Sequence, residues 1–509
     1  MGSSKKRAAP EAMLRLLKQV AVRVLWGLPV VAFFCQPRVG AQTVGLAQAK
    51  GEASTGQGAG KDSTGDSSAD SSAEDTTAGD SEKVFPHTQT GKYWISGQAN
   101  VILQSHGAFR AKYSGPNSLS NWAQSATTHL LTLYAGYELS QTTEVFADIE
   151  DATGNGVSDT VGLAGFVNLD AVRVREGVPE KDDPYLAQLM LRQIIPLTSE
   201  RVPNPDPRDE LHLATSVPPR RLELRVGKMD LTDFFDVNDY GSDSNLQFLN
   251  WTVDDNGAYD VASNTRGYTD AVILEYDDPS RAMRFAEALM PKVANSAFLD
   301  ADLARSRAEN LELEATGNHI LHRDSTVRLL GYLNHGNMGS YRKANAEFRT
   351  GETATPDIIA TRREGRHRYG FGLNMEQEVA KNVGVFARLG WSDGQNETYC
   401  YTEDDRTVQI GGLAMGDSWR RSSDRAGVAF VTNGIVASHQ QYLALGGLGF
   451  LLGDGALTYG REKIVETFYT AHLWRGLFIS YDFQHINDPG YNQARGPVAV
   501  SAFRFHTDF

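Results

Sequence analysis

Segments in which apolar and polar residues alternate one by one recur through this 509-residue chain, and the last of them runs to its final residue. In Phe503-Arg504-Phe505-His506-Thr507-Asp508-Phe509, an extended backbone puts Phe503, Phe505, Thr507 and Phe509 on one face and Arg504, His506 and Asp508 on the other. A strand of this kind suits a barrel wall whose outside meets lipid and whose inside meets water. Val498, Val500 and Ala502 share the polar register, so the separation is clean only near the end. On this segment alone, the terminal strand of a soluble sandwich has the same pattern.

Hairpins repeat the pattern with one style of turn. Leu131, Leu133, Ala135, Tyr137 and Leu139 alternate with Thr132, Tyr134, Gly136 and Glu138, and after Ser140-Gln141-Thr142 the residues Val145, Ala147 and Ile149 alternate with Glu144, Phe146, Asp148 and Glu150. The arrangement returns at 369–379, through Ala380-Lys381-Asn382, with Val383, Val385, Ala387, Leu389 and Trp391 set against Gly384, Phe386, Arg388 and Gly390. A last hairpin turns at Trp474-Arg475-Gly476 and sends Leu477, Ile479, Tyr481 and Phe483 outward against Phe478, Ser480, Asp482 and Gln484. Short turns at one rim and longer connections at the other, such as the one around Pro489, predict a periplasmic Arg475 turn and an external Pro489 loop. Residues 438–452 and 295–312 lose the period of two and read as loop or short helix. With about ten residues per tilted strand, the remaining length predicts an all-β transmembrane antiparallel barrel of roughly 16 to 18 strands.

The amino-terminal region reads differently. Arg15, Lys18 and Arg23 precede an apolar run at 24–34 and the small-residue signal Val39-Gly40-Ala41, which predicts a secretory signal peptide over 1–41, cleaved after Ala41, with Met13 as an alternative start. Residues 42–83 are rich in Ser, Gly, Thr and acidic residues and predict a disordered tether, leaving 84–509 as the barrel domain. No later segment approaches the roughly 18 consecutive apolar residues that a spanning helix needs. Cys35 falls in the expected signal and Cys400 stands alone beyond it, which excludes an intrachain disulfide or a cysteine-held metal in the mature chain. A net charge of −14 argues against a nucleic-acid partner.

Several charged sets fall on the predicted inner face. They are Glu144, Asp148 and Glu150; Arg221, Glu223 and Arg225; and Glu376 and Glu378 with Arg388. Charges of both signs inside a closed wall orient hydroxyl-rich solutes, although each taken alone also reads as ordinary filling of a wet interior. Asp230, Asp233, Phe234, Phe235 and Asp236 mix carboxylates with aromatic rings, as a constriction or sugar-facing rim does, or as a solvated loop does. The calcium-loop spacing is missing there, and His319 and His322 point to opposite faces of a strand, so no resident metal or cofactor is expected. Nucleophile-elbow, zinc-protease and phosphate-loop motifs are likewise missing, so the sequence does not read as an enzyme.

The order of several short stretches resembles the carbohydrate-selective porins of the OprB type. They are Gly162-Leu163-Ala164-Gly165-Phe166-Val167-Asn168-Leu169-Asp170; Arg225-Val226-Gly227-Lys228-Met229 with Asp233-Phe234-Phe235-Asp236; and Gln247-Phe248-Leu249-Asn250-Trp251 with Thr265-Arg266-Gly267-Tyr268. Gly446-Gly447-Leu448-Gly449-Phe450 and the Asn487 to Pro497 region complete the likeness. The resemblance implies a barrel of about 16 strands in the bacterial outer membrane, through which sugars and other small hydrophilic solutes diffuse passively into the periplasm. It further implies contact with outer-membrane lipid, recognition of the strand ending at Phe509 by the barrel-assembly machinery, and oligomers as an option. Asn396-Glu397-Thr398-Tyr399 and Tyr401-Thr402-Glu403-Asp404-Asp405-Arg406 look similar to a manganese-selective branch, which keeps a divalent-cation porin as an alternative. A plugged barrel serving as an outer-membrane scaffold or adhesin is a second.

Overall fold

The computed structural model describes residues 83–88, 90–172, 183–206, 208–320 and 322–509. The expected signal peptide with Ala41, and all of the expected tether but Lys83, lie outside these. Sixteen strands close one antiparallel barrel. In chain order they are β1 (Tyr93–His106), β2 (Gln124–Ser140), β3 (Thr143–Thr153), β4 (Tyr185–Pro196), β7 (Arg221–Met229), β8 (Thr269–Asp278), β9 (Arg281–Ala288) and β10 (Arg307–Ile320). They continue with β11 (Arg323–Met338), β12 (Arg363–Ala380), β13 (Val383–Ser392), β14 (Arg406–Met415), β15 (Arg425–Gly434), β16 (Glu462–Trp474), β17 (Leu477–Asn487) and β18 (Val498–Asp508). The short strands β5 (Val202–Pro203) and β6 (Ser216–Val217) pair separately. β18 meets β1 from Asp508 opposite Gln98 to Val500 opposite His106, so the sheet has no free edge. Backbone groups in the wall are then paired without water, which hydrocarbon requires.

The two-residue period sets which side chains meet lipid. On β14, Val408 and Ile410 are 44% and 60% exposed while Thr407 and Gln409, each preceding one of them, are each 2% exposed. On β18, Phe503 and Phe505 lie outside and Arg504 and His506 inside, as the terminal alternation predicts. Outward Tyr137 and Trp474 sit toward the short-turn rim, and outward Tyr369 and Trp391, 5.7 Å apart, toward the other. Such aromatic belts mark the two lipid–water boundaries of an outer-membrane barrel.

Short turns join β2 to β3, β8 to β9, β12 to β13 and β16 to β17 at one rim. One connection breaks that pattern: between β4 and β7, residues 197–206 and 208–220 fold back against the barrel, with Leu213 fully buried beside Trp94 and Phe146. The opposite rim carries the long loops. The helix Ala437–Ala444 overlaps the region 438–452 read as loop or helix, but β10 begins at Arg307 inside 295–312, so that reading fails for its last six residues. There, Ala308, Asn310 and Glu312 face inward, but the charged Glu309 takes an outward place between Ala308 and Asn310, which blurs the period.

Long loops fill much of the interior and bind one another through their backbones. The Trp251 N–H donates to the Phe166 carbonyl at 2.8 Å, and the Glu403 N–H to that of Ala164 at 2.8 Å. The loop between β7 and β8 lies against the inner wall where side chains are missing. A Cβ on Gly384 would stand 2.0 Å from the Tyr240 ring, and one on Gly390 2.0 Å from Asn256 Oδ1. Glycine at these positions admits the loop to the backbone of β13.

Candidate functional site

On the inner wall near the short-turn rim, strand register lines up charges of opposite sign. Arg192 of β4 donates to Glu144 of β3 at 2.8 Å and to Glu223 of β7 at 2.7 Å, and Glu223 also accepts from Arg221 and Arg225, each at 2.6 Å. Arg225 continues to Glu275 of β8 at 2.5 Å, and Glu275 to Arg284 of β9 at 2.5 Å. Arg284 reaches Glu312 and Glu314 of β10 at 3.0 and 2.8 Å, and Arg328 of β11 links Glu314 to Glu376 of β12 at 2.9 Å each. The result is a continuous ion-pair ribbon across eight neighbouring strands. Alternation of sign keeps each buried charge compensated, and truncating one partner would strand the others.

This ribbon walls a cavity of ≈ 660 Å³ that also includes Asp277, Asp278 and Arg281 around the β8–β9 turn. A second cavity of ≈ 460 Å³ lies against β1 to β4 and is bounded by inward-folded loops. Asp233 and Val237 line both cavities. The second cavity is strongly acidic: nine carboxylates line it, against Arg266 as its one Lys or Arg among the described residues. Glu150 accepts from the hydroxyls of Tyr268, at 2.7 Å, and Tyr185. Burial raises the loop carboxyl groups: Asp230 to about 6 and Asp255 to about 8, with Asp254 well above the usual range as Asp255 repels it. Asp233 meets water in the lumen, yet enclosure by the barrel, together with Asp230, Glu210 and Asp148, also holds it high.

The carboxylate-and-aromatic segment after β7 is fastened, not freely solvated. Arg388 of β13 is fully buried, binds Asp236 Oδ2 at 3.0 Å and donates to the carbonyls of Val253 at 3.0 Å and Asp236 at 3.1 Å. Asn374 of β12 donates to the Asp236 carbonyl at 2.7 Å, and Glu376 accepts from the Asp239 N–H at 2.8 Å. Phe234 and Phe235 both belong to the hydrophobic core, and Phe234 also lines the larger cavity with the Arg225 guanidinium 5.0 Å over its ring.

The residues singled out from the sequence therefore fall into separate groups. Glu144, Arg221, Glu223, Arg225 and Glu376 join the ribbon; Asp148, Glu150 and Asp230 line the acidic cavity; Asp233 borders both. Glu378 lies toward the rim, 3.2 Å from Arg323, while Arg388 and Asp236 form an anchor outside the lining of either cavity. Sequence reading did not single out Arg192, Glu275, Arg284, Glu312, Glu314 and Arg328. Their parity against outward Leu191, Leu311 and Leu329 carries the signal. In the segment likened to manganese-selective proteins, the acids hold protein groups: Glu403 accepts from Leu451 and Leu452 N–H at 2.9 and 2.7 Å, and Asp405 pairs with Arg368 at 2.7 Å.

A closed barrel with a lipid-facing apolar exterior, a charged interior and constricting loops defines an outer-membrane porin, a channel. The fold is similar to the high-pH structure of Pseudomonas putida OprB, with a TM-score of 0.61 and 13% identity over 82% of this chain and 94% of that one. The low-pH structure of the same protein gives 0.44 and 10% over 82% and 93%, and the outer membrane channel DcaP of Acinetobacter baumannii gives 0.44 and 9% over 82% and 97%. No curated protein matches the sequence. Residues 116–509 match the family described as carbohydrate-selective porin, OprB family, and the chain belongs to that family. It resides in the bacterial outer membrane and passes carbohydrates and other small hydrophilic solutes.

Proposed function

We propose that solutes cross by way of the acidic cavity and the ribbon-walled cavity, and that Asp233 and Val237 bound the narrow passage between them. The observation that carries this route is their shared position in the linings of both spaces. Along the ribbon a sugar exchanges water for hydrogen bonds with charges already compensated by neighbours, so each contact is made and broken at little net cost. Transport needs weak binding, on the scale of millimolar affinity or about 4 kcal/mol. The strand ending at Phe509 serves as the segment read by the barrel-assembly machinery.

Liposome swelling with a graded series of neutral sugars tests the route. Val237→Trp should slow monosaccharide uptake and exclude disaccharides, while the folded band in unheated electrophoresis stays unchanged. Equal swelling rates for the folded variant and the parent would overturn the route.

A further inference from the structure

The acidic cavity contains more than a crowd of carboxylates. Asp148 Oδ1, Asp170 Oδ2 and Asp254 Oδ1 are buried with no hydrogen-bond partner among the described residues, and each of these residues, 6% exposed, lines the cavity. Buried carboxylate oxygens left unpaired are costly and are held in place only when something else satisfies them. Beside them, Trp251 and Tyr401 stack with ring centroids 4.2 Å apart, and both line the same space. Arg266 is turned onto the Tyr185 ring, 3.7 Å from its centroid. Arg425 pairs with Asp243 at 2.9 Å, and Arg388 and Arg504 act on Asp254 and Asp170 from behind, so nine carboxylates face four arginines.

A bare metal ion does not suit this arrangement. Among the described residues, the only three acids whose oxygens lie close enough to chelate are Glu223, Glu275 and Asp277, and arginines already neutralise them. In the cavity the acids are spread around a volume of ≈ 460 Å³ and alternate with hydroxyls and aromatic faces. That distribution complements a solute whose positive charge sits on a body the size of a pyranose, with an apolar face for the rings and hydroxyls for the remaining acceptors.

We infer that this cavity is a binding station for hydroxylated organic cations of the amino-sugar class, within the solute route proposed above. An ammonium group supplies a donor to whichever of Asp148, Asp170 and Asp254 it meets, and charge-assisted hydrogen bonds are about twice as strong as neutral ones. A sugar acid of equal size meets only like charge. Burial and mutual repulsion raise Asp254 and Asp255, so protons balance part of the cluster's charge when no cation is bound, and an entering ammonium replaces them.

Current blockade in planar bilayers, with glucosamine, glucose and glucuronate added to the purified channel at neutral pH, tests the inference. Glucosamine should block at a concentration about tenfold lower than glucose, and glucuronate should block least. The double variant Asp148→Asn, Asp254→Asn should bring glucosamine to within about twofold of glucose. Equal blockade by glucosamine and glucose in the parent protein would overturn the inference while leaving the route intact. Passage of no sugar at all would overturn the route itself. Manganese blocking at lower concentration than glucosamine would also overturn the assignment, in favour of a metal.

Discussion

Phe509 and Gly97 join the two ends of the barrel: the Phe509 N–H donates to the Gly97 carbonyl at 2.8 Å, and the Gly97 N–H donates to a terminal oxygen of Phe509 at 2.7 Å. The aromatic ring lies over the glycine, where a Cβ would stand 2.6 Å from it. A glycine in a strand gives up packing surface, and here the last side chain restores it.

Gly97→Val should therefore displace the ring, and Phe509→Ala should expose the glycine. Both variants are expected to unfold at lower temperature when samples in detergent are heated and run on a gel that separates folded from unfolded barrel. A melting temperature equal to the parent's for both would show that the contact contributes nothing to closure.

Arg388 holds the β7–β8 loop from behind, so its loss should act on the loop before it acts on ion preference. Arg388→Ala leaves Asp236 buried without its cation, a change of about 3–5 kcal/mol for a broken buried pair. Single-channel records should show unstable conductance as the loop loosens, whereas Arg225→Ala should keep a steady conductance and shift the reversal potential toward cations. A steady, wild-type conductance in the folded Arg388 variant would refute the anchoring role.

Asp255 predicts a pH dependence. Burial raises its carboxyl to about 8, Arg388 opposes this, and Asp236 and Asp230 add to it; Asp254 beside it is raised as well. A raised carboxyl is neutral below its folded value and negative above it, so the cavity gains charge as pH climbs from about 6 to about 9. The preference for potassium over chloride should grow across that interval and flatten in Asp255→Asn. A reversal potential constant from pH 6 to 9 in the parent would contradict this.

Much of the wall was legible because lipid and water impose opposite demands at every second residue. Leu131 to Glu150, the β12–β13 hairpin and the terminal strand show it directly. Arg307 to Glu312 did not, because inward Ala308, Asn310 and Glu312 alternate with outward residues that are not uniformly apolar. The charged sets around Arg225 and Glu376 were visible as parity, but their joining into one ribbon depends on which strands are neighbours, and only closure supplies that. Nothing local in Asp230 to Asp236 distinguishes a solvated rim from a buried loop. The answer lies more than a hundred residues away, in Asn374 and Arg388. For the same reason Asp148 and Asp254 could not be placed in one cavity before the fold was known.

Gly384 and Gly390 show how the calibre of such a conduit can be set by atoms that are missing. Because Tyr240 and Asn256 rest directly on strand backbone, one added methyl group on the wall would push the whole insert toward the axis. Bore thus becomes adjustable from positions that never touch the traveller, which separates how wide the passage is from what chemistry it offers.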